Sequence, residues 1–159
     1  MHRFVLAGAA AVTLSACASS VLTVEKPYAE QQRYSMATLE YDRSGVPVDN
    51  DNLFYTARKL DQALFGGSSP IFQRGQGLTI RYRYVGFNEG SRVGRYILPG
   101  IAGASKIVLE TDFVAPDGKV LATVRGEGEV RGGFLGGSNK SGIDKAVREI
   151  ADYAAANFR

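Results

Sequence analysis

The sequence predicts an α+β fold, a two-layer sandwich in which two helices pack on one face of a mixed four-stranded sheet in the order βαβββα. Apolar residues recur every three or four positions in residues 51–65 and again in 141–158, which predicts the helices. Apolar and polar residues alternate in residues 78–84, 106–115 and 119–129, which predicts strands with one buried face. Two helices on one face of the sheet is the economical assembly of these elements.

The first strand and the first helix are predicted in the amino-terminal half. Residues 33–41 are rich in strand-forming side chains, and residues 44–47 follow as a turn. Asp49 or Asn50 is expected to cap the helix, because a short polar side chain accepts hydrogen bonds from the first free amides. The helix is expected to end at Phe65, before two glycines.

Asp117-Gly118 predicts a tight hairpin between the last two strands. A two-residue turn fixes the register and sets Glu110 opposite Arg125 and Phe113 opposite Ala122. The same register pairs Asp112 with Thr123 and Thr111 with Val124. Arginines 81 and 83 of the preceding strand are expected to face outward and pair with acids such as Glu110 and Asp112.

Residues 1–16 are predicted to be a signal peptide. Met1-His2-Arg3 is a short basic head, and residues 4–16 are an apolar run. At about 1.5 Å per helical residue this run is roughly 20 Å long, which is shorter than the roughly 30 Å hydrocarbon core of a bilayer. The run is therefore interpreted as a leader and not as a membrane span.

The leader ends in Leu14-Ser15-Ala16-Cys17, which resembles the lipobox of bacterial lipoproteins. The resemblance implies cleavage before Cys17 and a diacylglycerol on its sulfur, and Ala18 in place of aspartate implies the outer membrane, facing the periplasm. The alternative is an ordinary cleaved signal with Cys17 as an incidental thiol. Residues 17–32 are interpreted as the lipidated amino terminus and a tether, and residues 33–159 as a single domain.

Composition excludes several classes of chemistry. Cys17 is the only cysteine, so its lipidation leaves no disulfide, and the only histidine, His2, lies in the leader. The mature chain therefore lacks the imidazole of Ser-His-Asp and Cys-His sites and of most zinc sites, and no enzymatic activity is expected. A net charge of +3 is too small to indicate nucleic-acid binding. No cofactor is expected besides the covalent lipid.

Two glycine-rich segments are candidates for partner binding. The segment 132–141 precedes a helix as a phosphate loop does, but Lys140 follows Asn139 instead of glycine, so a flexible loop is favoured. The segment 86–105 is interpreted as a long irregular connection that folds over one end of the core. Their alternative role is contact with an envelope protein or the bilayer. The candidate residues for this contact are Phe134, Leu135, Arg92, Arg95 and Tyr96.

Several short motifs lie in the later part of the chain: Gly90-Ser91-Arg92 with Arg95-Tyr96, Asp117-Gly118-Lys119-Val120-Leu121, Gly136-Gly137-Ser138 and the helix 146–153. Through them, residues 42–159 resemble an uncharacterised family of bacterial lipoproteins, known as a domain of unknown function. The resemblance implies an α+β fold similar to the amino-terminal domain of TolB and to auxiliary lipoproteins of envelope transporters. It implies no reaction.

The expected function is a lipid-anchored, non-enzymatic binding or assembly module of the cell envelope. Its partners are expected to be the membrane, through the lipid, and another envelope protein, through the sheet edge or the glycine-rich loops. The alternative is a carrier or sensor of a small or lipidic ligand, which would need a cavity lined by Leu60, Tyr82 and Ile150. An enzyme of unrecognised type is a third possibility.

Overall fold

A computed structural model describes residues 20–87, 96–97, 106–129 and 139–159. Within these ranges it contains two helices and seven strands, so the predicted α+β class with a mixed sheet and two helices is confirmed, whereas the predicted number of four strands is wrong. The strands are β1 (Ser20–Lys26), β2 (Met36–Tyr41), β3 (Gln73–Arg74), β4 (Leu78–Phe87), β5 (Tyr96–Ile97), β6 (Lys106–Val114) and β7 (Val120–Glu129), and the helices are α1 (Asn50–Phe65) and α2 (Asn139–Phe158).

The strands form one sheet in the order β1-β7-β6-β4-β2-β3, with β5 paired to β4. β2 and β4 are parallel, because α1 carries the chain from the end of one strand back to the start of the other. β4, β6, β7 and β1 pair antiparallel. From Lys106 to Phe113 the β6–β7 register is the predicted one, with Glu110 opposite Arg125 and Phe113 opposite Ala122, but it shifts by one residue at Val114, which lies opposite Val120. The predicted two-residue turn is wrong, because the Ala115 amide donates to the Lys119 carbonyl and residues 116–118 form a three-residue turn.

The first strand, β1, lies inside the segment that was expected to be a tether. It pairs with β7 from Ser20 opposite Gly128 to Lys26 opposite Thr123, and forms one edge of the sheet. Only Ser20 and Leu22 are half-buried and the other five residues are exposed, so the strand has no sustained apolar alternation. β3 and β5 have two residues each, which is too short for any periodicity.

Both helices pack on the sheet face that carries Leu78, Ile80, Tyr82 and Tyr84, as predicted. Asp49 caps α1, since its side chain accepts a hydrogen bond from the Asn52 amide at 3.0 Å. α2 begins two residues before the predicted Ser141. The core between the helices and the sheet includes Leu60, Leu64, Ile107, Leu109, Phe113, Val124, Ile143, Ile150 and Phe158, all fully buried.

One end of the sheet is important for the site, and we refer to it as the Ser20 end. β1 starts there, β4 ends there at Phe87, and β7 ends there at Glu129. Both helices also start at this end, because α1 follows the end of β2 and the first turn of α2 lies against the end of β7, where a Cβ atom on Gly128 would lie 1.8 Å from the Gly142 carbonyl oxygen. Among the described residues, no helix has the length and apolarity needed to cross a membrane.

Candidate functional site

The predicted contact residues fall almost entirely outside the structure. Cys17, Arg92, Arg95, Phe134 and Leu135 lie outside the described residues. The backbone of Tyr96 is described, and it pairs with Phe87 at the Ser20 end. Their arrangement as a site therefore stays a prediction, and three surfaces built from described residues are the structural candidates.

The first surface is the sheet face opposite the helices, which carries a ladder of charged side chains. Glu110 is 6% exposed and accepts hydrogen bonds from Arg83 and, at 2.8 Å, from Nε of Arg125. Arg83 also contacts Asp42 at 3.2 Å, and Arg125 contacts Glu25 of β1 at 3.0 Å. Both oxygens of the buried Glu110 carboxylate thus accept hydrogen bonds. The ladder therefore links side chains of four strands, β1, β7, β6 and β4, and Asp42, which directly follows β2.

The arginine pairing predicted from the sequence is confirmed for Arg83, which contacts Glu110. Arg81 instead contacts Glu40 of β2 at 3.3 Å, and Asp112 accepts a hydrogen bond from the Thr123 hydroxyl at 2.6 Å. Arg81 pairs with an acid of β2 because β2 is the parallel neighbour of β4 on the side away from β6. The sequence alone does not give this strand order. Among the described residues, no group of three histidine, cysteine or acidic side chains could hold a metal ion.

The second surface is the outer edge of β1. This strand has one described neighbour, β7, and its other edge is open within the described ranges. Val21 and Val24 are 48% and 42% exposed on it, and Arg125 reaches across from β7 to Glu25. An open edge with exposed β-branched residues is a template for a further strand. This surface was not predicted from the sequence, because residues 20–26 were interpreted as part of a tether.

The third surface is an apolar groove of about 640 Å³ between the β2–α1 connection and the start of α1. The connection is held against the sheet, since the amides of Asp42 and Val46 donate to the carbonyls of Tyr82 and Tyr84, each at 2.8 Å. Gly45 is required there, because a Cβ atom on it would lie 2.2 Å from the Tyr84 carbonyl oxygen. The lining includes Tyr41, Arg43, Val46, Pro47, Val48, Leu53, Phe54, Ala57 and Tyr82.

The groove combines aromatic surface with an exposed arginine on its rim. Phe54 is 74% exposed, and the Tyr41 and Tyr82 rings lie 5.3 Å apart at its floor. Burial raises the pKa of Tyr82 to about 12, so its hydroxyl is neutral at physiological pH. Arg43 is exposed and forms no ion pair with any residue that the structure describes. The groove can therefore take an apolar group and an anion side by side.

Phe54 and Arg43 were not predicted as site residues, although the sequence contains a signal for Phe54. It follows Leu53 in the helix and lies off the stripe formed by Leu53, Ala57, Leu60 and Leu64. An aromatic residue outside the apolar stripe of an amphipathic helix is exposed unless another element covers it. Arg43 has no such signal, because its neighbours in space come from the fold.

A ligand carrier was expected to have a cavity lined by Leu60, Tyr82 and Ile150. Leu60 and Ile150 are fully buried at 0% exposure within the core. Tyr82 is the one member of the predicted set that lines the groove. Between the described helices and sheet lies a cluster of buried hydrophobic side chains that includes Leu60 and Ile150.

The described residues thus form an α+β domain. Within the described ranges, this domain has an open sheet edge and, at one end, an apolar groove. No protein-family model matches the sequence, and no curated protein matches it. The fold is similar to that of PelC from Paraburkholderia phytofirmans, in a crystal structure of the dodecamer of a PelC variant: the identity is 12%, the TM-score is 0.54, and the match covers 87% of this chain and 99% of that chain. A second crystal form of the PelC dodecamer matches at 12% identity over 88% and 99% of the two chains, with a TM-score of 0.46. At this identity the likeness concerns the fold alone.

Proposed function

We propose that this chain is a bacterial lipoprotein, anchored by a lipid on Cys17 to the outer membrane and facing the periplasm. The observation that carries the proposal is the apolar leader that ends in Leu14-Ser15-Ala16-Cys17, with Ala18 after the cysteine. Two or three acyl chains on one residue give stable anchoring, since each buried methylene adds about 0.8 kcal/mol. The protein acts there as a non-enzymatic assembly module.

Assembly uses the open edge of β1, with a second copy of the chain as the first partner. Exposed Val21 and Val24, on an edge that pairs with no other described strand, support strand addition as the mode of contact. The fold shared with a protein crystallised as a dodecamer supports self-association. The filled core around Leu60 and Ile150 supports a contact module over a ligand carrier. The role of Arg92, Arg95, Tyr96, Phe134 and Leu135 is contact with a second envelope protein.

The anchor is tested by replacing Cys17 with serine. Wild-type protein is expected in the outer-membrane fraction. The Cys17→Ser variant is expected in the soluble fraction or as an uncleaved precursor that is missing from the outer-membrane fraction, because the serine hydroxyl does not receive the diacylglycerol. Ala18→Asp is the matched control, since it keeps the cysteine and is expected to move the protein to the inner membrane. Fractionation with immunoblotting measures both. Equal retention of Cys17→Ser in the outer membrane would contradict the anchor.

Assembly through β1 is tested on the full lipoprotein purified in detergent. Wild-type protein is expected to form an oligomer, and Val21→Lys with Val24→Lys is expected to reduce it to the protomer, because lysines on an open edge oppose strand addition. Met36→Lys with Phe54→Lys is the control, since it adds the same two charges at exposed apolar positions outside β1. Mass photometry gives the mass of each species. A monomeric wild type, or an oligomer that survives both edge substitutions, would show that β1 is not the interface.

A further inference from the structure

We infer that the domain lies with its Ser20 end on the lipid surface, and that the groove beside Phe54 meets the bilayer there. We call the residues of this contact the Phe54 patch: Arg43, Val46, Pro47, Val48 and Phe54. The inference rests on the proposed lipidation of Cys17, and it adds the orientation of the domain and the surface that contacts lipid.

The distance between anchor and domain follows from the position of β1. Only two residues, Ala18 and Ser19, separate Cys17 from Ser20 in the sequence. Three steps of at most about 3.8 Å between successive Cα atoms span at most about 11 Å. Ser20 is fixed, because it pairs with Gly128 and its hydroxyl donates to Glu149 at 2.7 Å. A sixteen-residue tether, as expected from the sequence, would have allowed about 50 Å. The short link holds the Ser20 end close to the lipid.

The Phe54 patch lies at this same end of the sheet. The Val46 amide donates to the carbonyl of Tyr84 in β4. Across the sheet, Tyr84 lies opposite Leu109, Leu109 lies opposite Gly126, and Gly126 lies opposite Leu22 of β1, so these residues share one level of the sheet. This level is two residues from Ser20, or about 7 Å along a strand. The patch is four strand positions from β1, which is about 20 Å at about 4.8 Å per strand. The anchor and the patch therefore form two separated contact points at one end of the domain.

The chemistry of the patch fits a lipid surface. Phe54 is 74% exposed beside two valines and a proline, and aromatic side chains favour the boundary between headgroups and acyl chains. The exposed guanidinium of Arg43 has no ion-pair partner among the described residues and can bind a lipid phosphate. The proximity imposed by the short link makes even a weak contact effective, because both sites belong to one molecule.

The orientation can be measured with single fluorescent labels on the lipidated protein. The chain's only cysteine carries the lipid, so an introduced cysteine is the only thiol that reacts. Asp51→Cys places a label beside the patch, and Ala156→Cys places one near the far end of α2, about 25 Å further along at about 1.5 Å per residue. In vesicles of phosphatidylethanolamine and phosphatidylglycerol with nitroxide-labelled headgroups, the label at 51 is expected to be quenched several-fold more than the label at 156.

Two further variants separate the link from the patch. A flexible twelve-residue insert before Ser20 is expected to reduce the difference in quenching between the two labels by at least half. Phe54→Ser is expected to reduce the quenching at 51, whereas Met36→Ser, a change at an exposed apolar residue at the start of β2, is expected to leave it unchanged.

The outcomes distinguish the orientation from the anchor. Flotation with the vesicles together with equal quenching at positions 51 and 156 would overturn the orientation and leave the anchor intact. Failure to float with the vesicles would overturn the anchor and the orientation with it. A loss of oligomer mass in Phe54→Ser with unchanged quenching would assign the patch to a second copy of the chain and overturn its contact with lipid.

Discussion

At the scale of single residues, two buried threonines differ in whether their hydroxyl groups have partners. Thr111 of β6 and Thr56 of α1 are both fully buried at 0% exposure. The Thr56 hydroxyl shares a hydrogen bond with the Tyr84 hydroxyl. Oγ1 of Thr111 has no hydrogen-bond partner among the residues that the structure describes. A buried hydroxyl without a partner loses its hydrogen bonds to water and forms none in the protein. The hydroxyl of Thr111 therefore lowers the stability of the folded state.

Thr111→Val is expected to increase the free energy of unfolding by about 1 kcal/mol, because a methyl group replaces an unsatisfied hydroxyl of similar size. Thr56→Val is the matched control and is expected to decrease it by about 1–2 kcal/mol, because the Tyr84 hydroxyl then loses its buried partner. Urea denaturation followed by circular dichroism measures both. A destabilising Thr111→Val would indicate that the hydroxyl is satisfied in solution.

At the scale of secondary-structure elements, the glycines of β7 set the distance between the sheet and α2. A Cβ atom on Gly126 would lie 2.6 Å from the carbonyl oxygen of Ala146, and one on Gly128 would lie 1.8 Å from that of Gly142. Both contacts are with helix backbone, which cannot rotate away as a side chain can. The helix packs closely because these two positions have no side chain.

Gly128→Ala is expected to lower the free energy of unfolding by about 3 kcal/mol, because α2 must move away from β7. Gly118→Ala is the control, since Gly118 has φ of 87° with open space around its Cβ position. It is expected to cost about 1 kcal/mol from backbone strain alone. Thermal unfolding of the two variants in parallel gives the comparison. Equal losses would mean that α2 is not held by this contact.

The sequence reveals those secondary-structure elements that have a periodic apolar pattern. The two helices and the β6–β7 hairpin were predicted closely, because each has one buried face and a periodic apolar pattern. β1 was missed, because an edge strand with exposed residues on both faces needs no apolar alternation. Its place in the sheet comes from backbone pairing with β7, which leaves no trace in the side-chain pattern.

At the scale of the whole molecule, stability at high pH depends on buried tyrosines. Tyr82 and Tyr84 are 3% and 0% exposed, and burial raises the pKa of both hydroxyls, that of Tyr82 to about 12. An unfolded tyrosine loses its proton near pH 10. Between about pH 10 and 12 the unfolded state therefore binds fewer protons than the folded state, and the free energy of unfolding falls as pH rises.

The protein is expected to lose about 1.4 kcal/mol of stability per pH unit for each such tyrosine above pH 10, and to show no loss from these groups below it. Tyr82→Phe removes one titrating group, so its stability is expected to fall less steeply over the same range. Urea midpoints measured from pH 8 to 11.5 test this. Parallel curves for wild type and Tyr82→Phe would contradict the buried state of the hydroxyl.

The sequence by itself determined the fold class, the two helices, the hairpin register and the lipobox from which the anchor is proposed. These features are local, because each depends on spacing or on a short motif within one segment. The tertiary structure alone decided that residues 20–26 join the sheet and that Arg43 and Phe54 share a groove at the Ser20 end. Those features depend on backbone pairing and on contacts between distant segments. β1 bears most on the proposed anchor, because only two residues of the sequence separate Cys17 from the first residue of this strand.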